Sequence, residues 1–222
     1  MGTTPNLSAI AWAAGKCERS TPSNREQLVR ELTASLGFAL PVHAMGDCLH
    51  NHEQPSLGDD EPEAGPRVSR MAAALPGRRL YWRKIRAYSR YRFCLVAENS
   101  IEVDWVTEKL FHAFAAGCLP IYYGAPNVAP LLPTADAIIN VADFASVSEL
   151  AEHLLVLASD LVVLQRRLAW RADRKLVARW WRHIKTVLDP HDLSSKKKQI
   201  CAVCERVRDT SPRGASESWT GR

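Results

Sequence analysis

Two polar clusters in the middle of the chain carry residue types that could handle a phosphorylated sugar. Glu98-Asn99-Ser100 is followed, after Ile101-Glu102-Val103, by Asp104-Trp105-Val106-Thr107-Glu108-Lys109. Asp104 or Thr107 can cap the helix that the second cluster opens, and the unpaired N–H groups and positive dipole end of that helix favour a phosphate. Lys109 is a point charge suited to a diphosphate, and Glu108 can accept hydrogen bonds from sugar or ribose hydroxyls. The same pair would also serve an ordinary helix, with Glu108 complementing the dipole and Lys109 solvated. A hydrolase built on Glu98 with Glu102 or Asp104 is disfavoured. Its two carboxylates would have to flank a scissile bond, and these share one short loop.

The surrounding elements must present both clusters at one place. Residues 7–14 (LSAIAWAA) suit a buried strand. Ser23, with Glu26 three residues on, reads as a capping box for a helix to about Leu36, which Gly37 ends. Phe38–Met45 returns as a second apolar segment. Asp47–Pro66 is acidic and rich in Pro and Gly, hence a loop or insertion within 46–66. Tyr91–Glu98 is a buried strand, Trp105–Ala116 a helix stopped by Gly117, Cys118–Tyr123 a strand turned at Gly124, and Ala137–Val141 a short strand. A helix from Asp143 or Ser146 to about Ala158 precedes a long Arg- and Trp-rich helix over Asp160–Val187. This alternation predicts an α/β fold with a Rossmann-like, doubly wound parallel sheet over residues 1–190. A basic tail with a Cys pair, over 191–222, follows it. Such sheets bind ligands beyond the carboxyl ends of their strands, which sets both clusters at the mouth of one crevice.

The 222 residues, 46% hydrophobic and 24% charged, are ordinary for a globular domain with a real core. No apolar run approaches the roughly 18–20 residues of a membrane helix, and the first residues lack the features of a signal peptide. Charge is uneven: residues 1–160 hold 14 Lys/Arg against 18 Asp/Glu, and 161–222 hold 15 against 6. Arg67–Arg92 carries nine basic residues and no acidic one, a field that attracts phosphates. The six cysteines fit either redox compartment; Cys94 and Cys118, in apolar runs, are expected as buried small hydrophobes.

The stretch FCLVAENSIEVDWVTEKLFHAFAAGCLPIYYGAP, Phe93–Pro126, resembles the donor-binding signature of the α1,3/1,4-fucosyltransferases, glycosyltransferase family 10. Ala11-Trp12 to Cys17 with Arg25 and Leu32, Gly46-Asp47-Cys48-Leu49-His50-Asn51, Asp143-Phe144, Trp170-Arg171 and Cys201-Ala202-Val203-Cys204 extend the resemblance over roughly residues 7–208. It implies the C-terminal half of a GT-B glycosyltransferase, binding GDP-fucose for inverting transfer to a glycan hydroxyl, with no cofactor or metal required. By resemblance Arg25 pairs with the diphosphate, Asn99, Glu108 and Lys109 hold fucose and phosphates, Glu98 supports the loop, and Trp105 replaces the usual Tyr beside the donor. The general base would come from an N-terminal acceptor domain that these residues do not include, so no catalytic residue is assigned and little transferase activity is expected of the chain alone. The resemblance also implies a lumenal Golgi enzyme, held at a membrane only through an anchor outside these residues.

Rival readings are weaker. Cys48, His50 and His52 with Cys201 and Cys204 could form a zinc site, but only one Cys-x-x-Cys pair exists and it lies far from the histidines. The Arg67–Arg92 run with its tyrosines and Trp82 could bind nucleic acid, yet no such motif appears. Trp170, Trp180 and Trp181 fit no single stripe of one helix, and are expected to pack across a domain interface.

Overall fold

The computed structural model describes residues 7–15, 17, 21–53 and 78–187. Leu7–Trp12 forms β1, Arg25–Leu36 α1, Val42–Ala44 β2, Arg78–Tyr88 α2, Tyr91–Ala97 β3, Glu108–Ala116 α3, Leu119–Tyr123 β4 and Ile139–Asn140 β5. Val147–Ser159, Leu161–Leu168 and Arg174–Val187 form α4, α5 and α6. The strands pair in the order β2-β1-β3-β4-β5, all parallel. The chain runs outward from β1 to β2, then returns to the other side of β1 for β3. That reversal is the topological switch point, where the carboxyl ends of β1 and β3 open a crevice.

Alternation along each strand divides the core in two. Ile10, Trp12, Phe93, Leu95, Leu119 and Ile121 face α1, α4 and Leu164 of α5. Ala9, Ala11, Cys94, Val96 and Tyr122 face α2, α3 and α6. This second face also holds an aromatic cluster: the Phe114 ring meets Trp170 and Trp180 edge-on at 5.5 and 5.7 Å. Such pairs add stability beyond their buried area.

Four expectations are corrected. Ser23 does not cap α1. That helix starts after Asn24, at φ 51° and without a side-chain cap bond. Ser23 Oγ instead donates to the Glu98 carbonyl at 2.7 Å, and Glu26 accepts from Thr21 Oγ1 at 2.8 Å. Tertiary partners outcompete the local capping box. Phe38 is fully exposed, and the second strand begins only at Val42. The long helix is broken: Ala169–Ala172 is a 3-10 turn, and Asp173 Oδ1 accepts from the N–H groups of Lys175 and Leu176, starting α6 anew. The break brings Trp170, Trp180 and Trp181 into the domain's own core, each about 5% exposed, rather than onto an interface. Finally, Cys94 and Cys118 are buried but bonded to each other. Their neighbours Phe93 and Leu119 are register partners, so the two thiols lie diagonally across adjacent strands. A second disulfide, Cys17–Cys48, joins the segments that follow β1 and β2.

The tail with Cys201 and Cys204, residues 54–77 of the insertion and basic run, and Lys16 lie outside the described residues.

Candidate functional site

β3 delivers Glu98 to the carboxyl edge of the sheet, where the side chain is fully buried. A lone buried carboxylate would be costly, and four donor contacts surround this one. Thr107 N–H and Oγ1 each lie 2.9 Å from Oε1, Oγ1 also lies 2.8 Å from Oε2, and Lys109 Nζ lies 2.9 Å from Oε2. The single Thr107 hydroxyl proton goes to one carboxylate oxygen while Lys109 Nζ donates to the hydroxyl at 2.8 Å. Thr107 is also the N-cap of α3, accepting from the Lys109 N–H. One carboxylate thus fixes where α3 begins and where its first cation points. Asp104, the other capping candidate, takes no part in the cap.

Gly124 makes this placement possible: a Cβ there would stand 2.8 Å from Glu98 Cγ and 2.6 Å from Tyr122 Oη. Burial, then the Glu98 charge, pushes the Tyr122 phenol up, so it stays protonated. It accepts from the Ala125 N–H at 2.9 Å, pinning the turn after β4.

Arg25, the first residue of α1, is buried and reaches across to the β3 loop. Its guanidinium donates to Asn99 Oδ1 and, through Nε at 3.3 Å, to Glu26. The Ser23 N–H donates to the Asn99 carbonyl at 3.1 Å, and Tyr123 Oη donates to the Ser23 carbonyl at 2.8 Å. The α1 entrance is thereby stitched to the ends of β3 and β4. Asn99 is itself exposed at the rim. Asp104 and Asn127 form a two-way clasp between the loops after β3 and β4. The Asp104 N–H donates to Asn127 Oδ1 at 2.9 Å, and Asn127 Nδ2 donates back to Asp104 Oδ1 at 2.7 Å.

The structure therefore brings Arg25 and Asn99 together, and Glu98 and Lys109 together, at one end of the sheet. Glu108 is half-buried beside Lys109, and Trp105, in the loop ahead of α3, is 38% exposed. Ser23 and Tyr123 were missed as supports because their partners are 75 and 100 residues away, and Thr21 because it lies ahead of α1 and reaches Glu26 in its first turn. Cations and unpaired N–H groups at a helix N-terminus are the kind of chemistry that suits an anion. Cys48 is consumed in a disulfide and supplies no thiolate beside His50 and His52, and no metal-ligand cluster occurs among the described residues.

Residues 5–218 match the family model described as glycosyltransferase family 10 (fucosyltransferase), C-terminal. Among curated relatives, GDP-fucose protein O-fucosyltransferase 3 of Xenopus laevis is 27% identical over 229 residues, covering 96% of this chain and 43% of that protein. An alpha-(1,4)-fucosyltransferase of Arabidopsis thaliana is 31% identical over 162 residues, covering 73% of this chain and 37% of that protein. The crystal structure of an alpha1,3-fucosyltransferase superposes with a TM-score of 0.52 at 18% identity, over 91% of this chain and 46% of that one. Another of an alpha1,3-fucosyltransferase with GDP-fucose gives 0.51 at 17%, over 94% and 49%. The chain spans less than half the length of each of these relatives, and its fold is the α/β fold of one half of those GT-B structures.

Proposed function

Because the chain belongs to glycosyltransferase family 10, the fucosyltransferases, we propose that residues 1–190 are a donor domain that binds GDP-fucose for transfer of fucose to a glycan or protein hydroxyl. The observation that carries this reading is the Glu98–Thr107–Lys109 cluster at the N-terminus of α3, beside the buried Arg25 at the switch point. Lys109 and Arg25 offer the diphosphate two cations, one a point charge and one a planar fork. Asn99 and Glu108 stand at the rim for ribose or fucose hydroxyls, and Trp105 offers an aromatic face at the mouth.

In the displacement itself, GDP leaves the anomeric carbon as the acceptor oxygen attacks from the opposite face. The domain's part is to neutralise charge growing on the leaving diphosphate. The base that takes the acceptor's proton is assigned to no residue of this chain. The two disulfides belong in an oxidising compartment, which supports a lumenal site in the secretory pathway, the Golgi by family resemblance. Relatives named as protein O-fucosyltransferases make a protein hydroxyl the acceptor to try first.

Calorimetric titration of the purified chain with GDP, GDP-fucose and GDP-mannose tests the reading. GDP-fucose should bind more tightly than GDP-mannose, and Lys109→Gln should weaken GDP about tenfold or more, the scale of a lost charge-assisted hydrogen bond. A folded chain that ignores all three nucleotides would overturn it.

A further inference from the structure

The basic run ahead of β3 is not absorbed by the site described above, and among its described side chains one differs from its neighbours. Arg83, Arg86 and Arg90 are exposed, whereas Lys84 is half-buried. α2 packs against α3, and the residue one turn after Lys84, Tyr88, reaches the backbone of Ala13 at the carboxyl end of β1. The Lys84 ammonium lies 5.2 Å from the Tyr88 ring centre. It makes no ion pair or hydrogen bond among the described residues, while Lys109 is paired with Glu98 and Arg25 with Glu26. The charges acting on it are Lys109 and Glu108 from the first turn of α3, Glu98 from β3 and Arg25 from α1. His112, a turn further along α3, is held neutral by burial and by both Lys84 and Lys109.

We propose that Lys84 is a third phosphate-binding cation of the donor site, and that it ties nucleotide binding to the uptake of one proton. This rests on the donor-domain reading. Glu98 and Glu26 already pair with Lys109 and Arg25, so Lys84, on which Glu108 acts without an ion pair, is the cation left to a phosphate. Burial, with Lys109 next, pushes the Lys84 ammonium down to about 8. A diphosphate restores a counter-charge and raises it again. The complex then binds more protons than the free protein at pH values above about 8, so affinity is full below that pH and falls as pH rises through it. Above about pH 8 a neutral Lys84 amine takes a proton from solvent as the nucleotide arrives and returns it on departure. Product GDP leaves more readily in the alkaline range.

Calorimetry of GDP binding to the full chain at pH 8.5, in two buffers of different ionisation enthalpy, measures the proton. Wild type should take up roughly three-quarters of a proton per GDP. Lys84→Gln should abolish the uptake and weaken GDP about tenfold at pH 7, with guanosine affinity unchanged. Lys84→Arg should bind GDP without uptake and hold its affinity at pH 9, where wild type weakens. Thermal melts of both variants check that they fold. Undiminished uptake or GDP affinity in a folded Lys84→Gln overturns the inference and leaves the donor domain standing. Equal losses for GDP and guanosine would reduce Lys84 to a packing role. A wild-type chain that binds no GDP takes both proposals down.

Discussion

The two ends of α3 are built on opposite principles, although the helix is only nine residues long. Its first turn is held by hydrogen bonds to one buried carboxylate: Thr107 and Lys109 converge on Glu98, and their side chains keep some contact with solvent. Its remaining turns are held by apolar contact. Leu110, Phe111, Phe114, Ala115 and Ala116 are all buried, and Trp170 and Trp180 surround Phe114. Gly117 closes the helix at φ 84° with the Arg171 guanidinium lying where a Cβ would be, 2.4 Å away. The helix is gripped by packing at the far end so that its polar start can stay open to a ligand without fraying. Rigidity and accessibility are thus placed on different turns of one element.

The largest effect should come from the packed end. Phe114→Ala removes a ring from a close aromatic cluster and should cost about 3–5 kcal/mol of stability, read by urea unfolding, with GDP affinity of the remaining folded protein unchanged. A loss of affinity as large as the loss of stability would erase the distinction between the two ends. His112 sits on the boundary. Burial, then Lys84 and Lys109, pushes its imidazole down to about 3, against an ordinary 6.5. The unfolded chain therefore binds the extra proton between those values, and stability falls as pH drops from about 6.5 toward 3. The slope is up to about 1.4 kcal/mol per pH unit. His112→Gln should flatten that part of the pH–stability curve; an unchanged slope would mean that other groups carry the acid sensitivity. The smallest effect belongs to the rim. Trp105→Ala should shift stability by less than about 0.5 kcal/mol, since the residue is exposed, while weakening nucleotide binding by a few-fold at most. A large fall in melting temperature would show that the loop is part of the packed end after all.

The sheet was legible because its strands are short apolar runs closed by Gly, Asp or Asn, and because alternation of strand and helix admits few topologies. Gly37 and Gly117 were readable for the same local reason, whereas Thr107 was one of two caps on offer and the helix begins at Glu108 rather than Trp105. The polar cluster was legible as residue types: Glu98, Asn99, Glu108 and Lys109 stand in one stretch of sequence, and resemblance added Arg25. What local pattern could not carry was partnership at a distance. Ser23 carries a capping signature that its bond to the Glu98 carbonyl overrides. Asp173 divides one apparent helix into two because its side chain caps the next turn. Cys94 and Cys118 read as core residues until strand register sets them side by side. Lys84 was visible only as one charge in a basic run, since its isolation depends on how α2 meets α3.

The Asp104–Asn127 clasp carries a consequence for how sequences of this kind can diverge. Each residue supplies what the other lacks, a carboxylate oxygen on one side and an amide on the other, and Asp104 holds a backbone at φ 64° that Asn tolerates equally well. Replacing Asn127 by an apolar residue breaks both bonds at once, whereas replacing Asp104 breaks only the side-chain one, because its N–H is backbone. Exchanging the two, Asn at 104 and Asp at 127, preserves the donor and acceptor count. The two positions are thus unequally free: 104 can pass between Asp and Asn without losing either bond, while 127 must keep a side-chain oxygen for the backbone of its neighbour and holds the tighter record of ancestry.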